Sequence, residues 1–362
     1  MERTHLSLNK LLMASVAALL AATSAFAIPK GPSDTKKEAC DVAPGPFAFC
    51  YPKDIGLSCP NDFYVHGDYL LMQPQEEGLD YAMSQNDAAS TLPYDGSVIG
   101  FSTGSKDWDW NSGFRVGFGA YLNDDEWKLD LEWTYLRIRD ESSTAAQGAG
   151  SLVPLWLYPA AATGIKNASA RWTGRFNTLD FALGKPFHAS RYFLFNPFFG
   201  VRAAWIDQNL TARYGGVFAS QTGVKMYAKN DFWGVGLKAG FDGEYLLGAG
   251  WSLFGIFSSS ILFGKYDINQ QANITSSDFN ITHDFYATAP NLDVMLGMAW
   301  GHFFSKKTWH MGLSVGYEFH QWFHQNNLRR FFDSGTYVAG SDVVARGDLS
   351  FNGVSFRLQF DF

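Results

Sequence analysis

The chain has 362 residues, of which 46% are hydrophobic, 17% aromatic and 17% charged, and its formal net charge is −7. Soluble domains usually carry about 25% charged residues, so this composition favours a membrane protein. The mean hydropathy of −0.12, without an apolar run of roughly 18 residues beyond the N-terminus, excludes a helical membrane protein. The mild acidity without a basic cluster gives no reason to expect a nucleic-acid partner.

The first 27 residues have the organisation of a secretory signal peptide. Arg3 and Lys10 form a basic segment, residues 11–22 form a short apolar segment, and Ala25-Phe26-Ala27 fits the A-x-A cleavage rule. The apolar segment is too short to span a bilayer. We therefore expect residues 1–27 to be removed on secretion.

Residues 28–61 form a proline-containing segment that we predict to be a periplasmic or plug-like extension. All three cysteines, Cys40, Cys50 and Cys59, lie within it. Secretion permits disulfides, and an odd count leaves one thiol over. One bridge within the chain plus a spare thiol is favoured over a disulfide between neighbouring chains. A metal site is not expected here, because the spacing lacks a close cysteine pair and no histidine lies among the three.

From residue 62 to the end, apolar and polar residues alternate with a period of two, as in β-strands. Such alternation marks the segments 63–71, 113–119, 127–135, 178–183, 199–205, 233–242, 292–301, 311–319 and 354–362. Large aromatic residues lie on one face of these segments and Gly, Thr or charged residues on the other, which suits strands that face lipid. The pattern predicts an all-β fold, a transmembrane antiparallel up-and-down β-barrel over residues 62–362. The stretch Trp251–Phe263 is apolar on both faces, and its orientation stays open.

Short and long connections between the segments alternate, which is typical of periplasmic turns and extracellular loops. Short turns are predicted at 123–125, 188–190, 248–250 and 302–307, and longer loops at about 73–109, 140–170, 215–229, 268–285 and 324–346. This alternation places both chain ends in the periplasm, so the strand number is even. We count ten strands, and twelve to sixteen stay open because the two longest loops could each contain a hairpin.

The last predicted strand ends on Phe360 and Phe362, which share its apolar face with Val354, Phe356 and Leu358. This ending resembles the terminal aromatic signal by which outer-membrane barrels are recognised for insertion. We therefore expect the barrel-assembly machinery and outer-membrane lipid to be partners of the chain. Nothing in the sequence identifies a subunit interface, so a homo-oligomer stays open.

The polar faces of the strands place charged residues in the barrel lumen. They comprise five basic and seven acidic residues: Arg115, Lys128, Arg202, Lys238, Arg357, Asp130, Glu132, Asp180, Asp242, Asp293, Glu318 and Asp361. Such a set predicts a pore with weak selectivity that slightly favours cations. Because a ten-strand lumen is narrow, the alternative is that these charges pair across the barrel and plug it.

Several segments resemble the Legionella-type pore-forming outer-membrane proteins, a group that includes chains similar to the major outer-membrane protein in chlamydia-related bacteria. The resemblance lies in Phe63–Leu71 (FYVHGDYLL), Gly113–Gly119 (GFRVGFG), Leu129–Tyr135 (LDLEWTY), Phe176–Phe181 (FNTLDF) and Asn196–Arg202 (NPFFGVR) and extends from about residue 62 to 362. It implies an abundant, pore-forming surface protein of the bacterial outer membrane. With only three cysteines, a disulfide-knit envelope is not expected.

The main prediction is therefore a porin-like channel for passive diffusion of small hydrophilic solutes and ions. The first alternative is a non-conducting structural or adhesive surface barrel. The second is an omptin-like barrel protease, for which His320 and His324 with Asp333 or Asp284 are the candidate residues. We expect no enzyme, no cofactor and no metal site, because no catalytic or metal-binding motif is present.

Overall fold

The computed structural model describes residues 63–85, 96–102, 107–122, 127–148, 150–157, 165–218, 221–273, 279–304, 309–332, 341–344 and 347–362. The predicted signal peptide (residues 1–27), the predicted extension (residues 28–61) and the three cysteines Cys40, Cys50 and Cys59 lie outside these residues. Within the described ranges, no helix is long and apolar enough to cross a membrane.

The described residues form sixteen strands. They are β1 (Phe63–Glu76), β2 (Ala82–Gln85), β3 (Val98–Ile99), β4 (Asn111–Leu122), β5 (Trp127–Ala145), β6 (Ser151–Pro154), β7 (Asn167–Gly184), β8 (Phe187–His188), β9 (Phe193–Phe218), β10 (Gln221–Gly248), β11 (Trp251–Asn273), β12 (Phe279–Phe304), β13 (Trp309–Asn326), β14 (Arg329–Phe332), β15 (Ser341–Val344) and β16 (Gly347–Asp361).

Ten of these strands close into one antiparallel barrel. Its order is β1-β4-β5-β7-β9-β10-β11-β12-β13-β16, and β16 pairs back with β1. This confirms the predicted all-β barrel and the count of ten. The two longest connections contain the short strands β2, β3 and β6, but these form a separate small sheet and add no strand to the ring. Of the other short strands, β14 pairs with β15, and β8 pairs with β9.

The predicted apolar faces point outward around the ring. Exposed side chains on this outer face include Phe114, Trp133, Phe181, Leu237 and Phe356. The stretch Trp251–Phe263, whose orientation the sequence left open, follows the same rule. In β11, residues Trp251, Leu253, Phe257, Ile261 and Phe263 are exposed, whereas Ser258 and Ser260 are buried inside.

The outward apolar residues form a belt of the height expected for a membrane. On β10 they run from Trp233 to Tyr245, and both of these rings are about half exposed. Twelve residue steps of about 3.3 Å cover roughly 40 Å along the strand, or about 30 Å across the bilayer at a tilt of about 40°. This distance matches the hydrocarbon thickness of about 30 Å.

Beyond the belt, at the end with the longer connections, the sense of the alternation reverses. In β7, Trp172, Ala170 and Ala168 point inward and are buried, whereas Arg171 and Arg175 are exposed on the outside. This part of the barrel meets water outside and packs an apolar core inside, as a soluble barrel does. We take this end as extracellular.

The reversal explains why the sequence underestimates strand length. The segments 215–229 and 268–285 were predicted as loops, but β9 continues to Phe218, β10 begins at Gln221, β11 continues to Asn273 and β12 begins at Phe279. Those predictions were wrong because the outer-face residues of these segments are polar, and a polar outer face is typical of a loop rather than of a strand in contact with lipid.

Two glycine-containing features have a geometric cause. Gly119 points into the barrel, where an added Cβ would lie 2.1 Å from the ring of Tyr64, so the glycine makes room for a neighbouring aromatic side chain. The turn between β10 and β11 has positive φ at Gly248, Ala249 and Gly250 (101°, 53° and 82°), a conformation that glycine adopts without steric cost.

The belt assignment can be tested with two substitutions on β10. Leu237 is 75% exposed in the middle of the belt, so Leu237→Arg should lower the free energy of unfolding in lipid vesicles by about 2–4 kcal/mol. Tyr227 faces outward on the same strand but lies beyond the belt, so Tyr227→Arg should have little effect. Equal effects from both substitutions, measured by denaturant unfolding, would contradict the assignment.

Candidate functional site

The structure places all the predicted pore-lining residues on the inner face of the barrel, where most of them pair with one another. The set comprises Arg115, Lys128, Asp130, Glu132, Asp180, Arg202, Lys238, Asp242, Asp293, Glu318 and Arg357, together with Asp361. They divide into two clusters at mid-barrel and a more exposed group near the periplasmic end.

The first cluster, which we call the Asp68 cluster, contains Asp68, Arg115, Glu132, Glu318 and Arg357. The Asp68 carboxylate accepts from Nε and an Nη of Arg357, both at 2.8 Å, and from Arg115 at 3.1 Å. Arg115 also donates to both carboxylate oxygens of Glu318 at 2.9 and 2.8 Å. Glu132 lies 3.4 Å from both guanidinium groups. Two arginines are thus held among three carboxylates.

The second cluster, the Arg202 cluster, contains Asp180, Arg202, Lys238, Asn291 and Asp293. Arg202 makes a bidentate pair with Asp180, with both contacts at 2.7 Å, and donates to Asp293 at 2.6 Å. Lys238 donates to Asp180 at 2.7 Å, and Asn291 accepts from Arg202 at 3.0 Å. Bidentate guanidinium–carboxylate pairs are strong and directional, so the cluster holds one defined arrangement.

His320 joins the two clusters. Its Nδ1 lies 2.8 Å from Asp293 and its Nε2 lies 2.9 Å from Glu318. Both nitrogens can donate to these carboxylates only when both carry a proton. The protonated ring would also balance the charge, because the clusters otherwise contain four basic side chains and five carboxylates.

The joined clusters form one ion network that crosses the lumen. Every barrel strand supplies a member, because Ser258 of β11 donates to Asp293 at 3.0 Å and Glu132 comes from β5. The charged side chains of the network are between 0% and 24% exposed. The network therefore spans the lumen at this level, and its charged side chains are mostly buried.

Towards the periplasmic end the inner face is polar and more open. Lys128 pairs with Asp130 at 3.0 Å, and these side chains are 22% and 31% exposed. Asp242 accepts from Asn196 at 2.7 Å, and Asp361 lies 2.7 Å from His310. Three carboxylates and one lysine give this vestibule an acidic balance.

Towards the extracellular end the lumen is filled by apolar side chains. Three connecting segments (residues 77–85, 96–102 and 150–157), which we call the plug, bury Leu79, Tyr81, Phe101 and Trp156 against the inner faces of the strands. Tyr214 of β9 donates to the backbone oxygen of Tyr81 at 2.7 Å, and burial raises the pKa of its phenol, so the donor stays protonated. The plug thus fills this end of the lumen with buried apolar side chains.

The described candidates for an omptin-like protease, His320, His324 and Asp284, are not brought together. His320 is in the ion network, and Asp284 pairs with Lys265 on the outer face at 3.1 Å. His324 is exposed, with a φ of 57° at an irregularity of β13, and Asp333 lies outside the described residues. Within the described part of the chain, no group of three His, Cys, Asp or Glu side chains could hold a metal ion.

The sequence interpretation missed Asp68, the residue that binds both arginines of its cluster. The signal for it is present, because the alternation in segment 63–71 puts Val65, Tyr69 and Leu71 on the apolar face and Asp68 on the polar face. At the chain end, Phe362 is bound through its backbone N–H to the oxygen of Phe63 at 3.0 Å, and its ring stacks on that of Phe63. The role of Phe360 and Phe362 in insertion stays a prediction.

A family model described as Legionella pneumophila major outer membrane protein precursor matches residues 58–362. No curated protein sequence matches the chain.

Solved structures resemble the chain at low sequence identity. The outer membrane protease OmpT from Escherichia coli shares 9% identity, with 86% of this chain and 99% of that chain covered and a TM-score of 0.44. The toluene transporter TodX of P. putida shares 10% identity (83% and 90% covered, TM-score 0.32), and a FadL homologue of Pseudomonas aeruginosa shares 8% (83% and 90%, TM-score 0.26). Similarities of this degree say nothing about activity.

The ion network makes a prediction about stability. Arg202→Met would leave Asp180 and Asp293 without their shared guanidinium, and removing one partner of a buried ion pair costs about 3–5 kcal/mol. Denaturant unfolding in vesicles should therefore show a loss of this size for Arg202→Met. Arg175→Met, which breaks an exposed pair with Asp207, is the control and should cost no more than about 1 kcal/mol. Equal losses would mean that the network is not buried as described.

Proposed function

The chain belongs to the Legionella major outer membrane protein family and lies in the bacterial outer membrane, and from this premise we propose that it is a narrow channel for passive diffusion of small hydrophilic solutes and ions. In this proposal the described conformation is the closed state. The ion network and the plug are the two barriers that must loosen before a solute passes. No catalytic step is assigned to any residue.

The observation that supports the proposal most strongly is the ionic filling of the membrane-embedded lumen. A buried ion network is often no more stable than well-packed apolar residues of similar volume, and the same chain uses apolar residues in its extracellular half. Folding alone therefore does not require charges at mid-barrel. Ionisable residues within a membrane protein commonly mark an ion or solute path, which is the role we propose for the two clusters.

The charge distribution favours cations. Solutes that enter from the periplasm would first meet the acidic vestibule, where Asp130, Asp242 and Asp361 outnumber Lys128. Beyond it lies the ion network, in which basic and acidic side chains are nearly equal in number. Charged rings of this kind set ion preference in channels, so we expect a weak preference for cations.

A second candidate function is a non-conducting surface barrel, structural or adhesive. The observation that favours it is the apolar core of the extracellular half, where plug residues pack against buried strand residues such as Trp172 and Met226. Opening a path through this core would expose apolar surface to water. If the core never opens, the chain is an anchor for its extracellular strand ends.

Single-channel recording in planar bilayers separates the two candidates. The folded wild-type protein should show small, brief, salt-dependent current steps between long closed intervals. Lys238→Ser should enlarge or prolong the steps and increase cation preference, because it removes a positive side chain from the lumen while Asp180 keeps its bidentate pair with Arg202.

Lys229→Ser is the matched control. It removes the same charge from the same strand, but Lys229 faces outward and its side chain is 50% exposed, so currents should not change. Folded wild type and Lys238→Ser barrels that both stay silent would reject the channel and support the surface barrel. Large current steps that neither substitution alters would mean that ions pass through the barrel without passing the ion network.

A further inference from the structure

The outer surface of the barrel carries a concentration of arginine just beyond the apolar belt. On β5 and β7 the outward-facing side chains include Arg137, Arg139, Arg171 and Arg175, all of which are exposed. Glu141 is the one outward-facing carboxylate of the described residues in these two strands. Asp207 of the neighbouring β9 faces the same surface, so four arginines and two carboxylates give it two more basic than acidic groups.

Two of these arginines face each other across the strands. Arg137 is the direct partner of Arg175 in the β5–β7 register. Like charges in directly opposed positions destabilise a sheet, so an anion between them would remove a local cost. Arg175 is bound to Asp207 at 3.0 Å, whereas Arg137 has no carboxylate partner among the described residues. Arg137 is therefore the guanidinium of this pair that no described carboxylate neutralises.

The position of the pair indicates where the anion comes from. Tyr135 and Trp133 are the outward-facing residues that precede Arg137 on β5, and Arg137 is the first charged residue beyond them. On β7, Arg175 is likewise the first outward charge beyond Phe181, Leu179 and Asn177. Aromatic residues mark the interface of a transmembrane barrel, so the next charged side chains lie at the level of the lipid headgroups.

We propose that Arg137 and Arg175 bind the phosphate groups of an anionic lipid in the outer leaflet. A guanidinium group donates two parallel hydrogen bonds to a phosphate, and two opposed guanidinium groups can hold one phosphate between them. The acyl chains of the same lipid would lie along the belt residues Trp133 and Tyr135. This binding site is independent of conduction through the lumen.

The test measures lipid binding to the purified full chain in a nonionic detergent. Diphosphorylated lipid A is the probe, and native mass spectrometry gives the dissociation constant. Arg137→Ser with Arg175→Ser should weaken binding by about tenfold, the effect of losing two exposed charged contacts. Arg137→Gln, which leaves the Arg175–Asp207 pair intact, should weaken it less, and Arg137→Lys should weaken it least because the charge is kept.

The chain offers a matched control pair. Arg213 of β9 and Lys225 of β10 also face each other, point outward and are exposed. In the β7–β9 register, Arg213 lies six residues beyond the partner of Arg175, roughly 20 Å further along the strand. Replacing both by serine removes the same charge far from the headgroups, so lipid A binding should not change.

Several outcomes would overturn the proposal. If the Arg137/Arg175 double variant and the Arg213/Lys225 double variant weaken binding equally, lipid A responds to overall charge and not to a defined site. If only the Arg213/Lys225 variant weakens binding, the anion binds at the open groove of about 660 Å³ that these two residues help to line. Unchanged binding in all variants would remove the site. Inorganic phosphate binding as tightly as lipid A would identify a free-phosphate site. If the double variant fails to fold, Arg137→Gln and Arg137→Lys decide the question.

Discussion

A backbone that enters the hydrocarbon of a membrane must satisfy every N–H and C=O group within the protein, because lipid offers no hydrogen-bond partners. This chain meets that constraint by closing β16 onto β1, in a register that runs from Tyr64–Asp361 to Glu76–Leu349. Closure fixes which side chains face lipid and which face the lumen. Ten strands enclose a narrow interior, so charged residues that project inward come within reach of each other. The ion network of Arg115, Arg202, His320 and their carboxylates is the result.

Each long strand runs from the membrane into the water outside it, and its side-chain pattern changes accordingly. In the membrane, β10 has Trp233 and Leu237 outside and Lys238 inside. Beyond the membrane the same strand has Val224 and Met226 inside and Lys229 outside. The reversal places the apolar core where water surrounds the barrel and the ionic filling where lipid surrounds it. One strand therefore has both a polar interior and an apolar interior, and the boundary between them lies near the outer headgroups.

The sequence was sufficient to predict the faces of the strands and the strand number, because lipid-facing aromatics alternate with small or charged residues at a period of two. It could not predict the contacts across the lumen. Arg115 and Glu318 are 203 residues apart, and their pairing depends on ring closure and register rather than on local pattern. The extensions of β9 to β12 were missed because the alternation there has the opposite sense. Trp251–Phe263 resisted orientation because Phe254, Ile256 and Leu262 are apolar residues on the inner face.

In the proposed closed state the ion network and the plug block the lumen, and thiol accessibility tests this most directly. Ser258 lies in the network and is 2% exposed, whereas Gln271 of the same strand is exposed on the outer face beyond the belt. In a background with Cys40, Cys50 and Cys59 replaced by serine, cysteine would be introduced at each position and its reaction with a small charged thiol reagent followed in the folded barrel. A closed lumen predicts that Ser258→Cys reacts far more slowly than Gln271→Cys. Equal rates would show a lumen open to water and contradict the account.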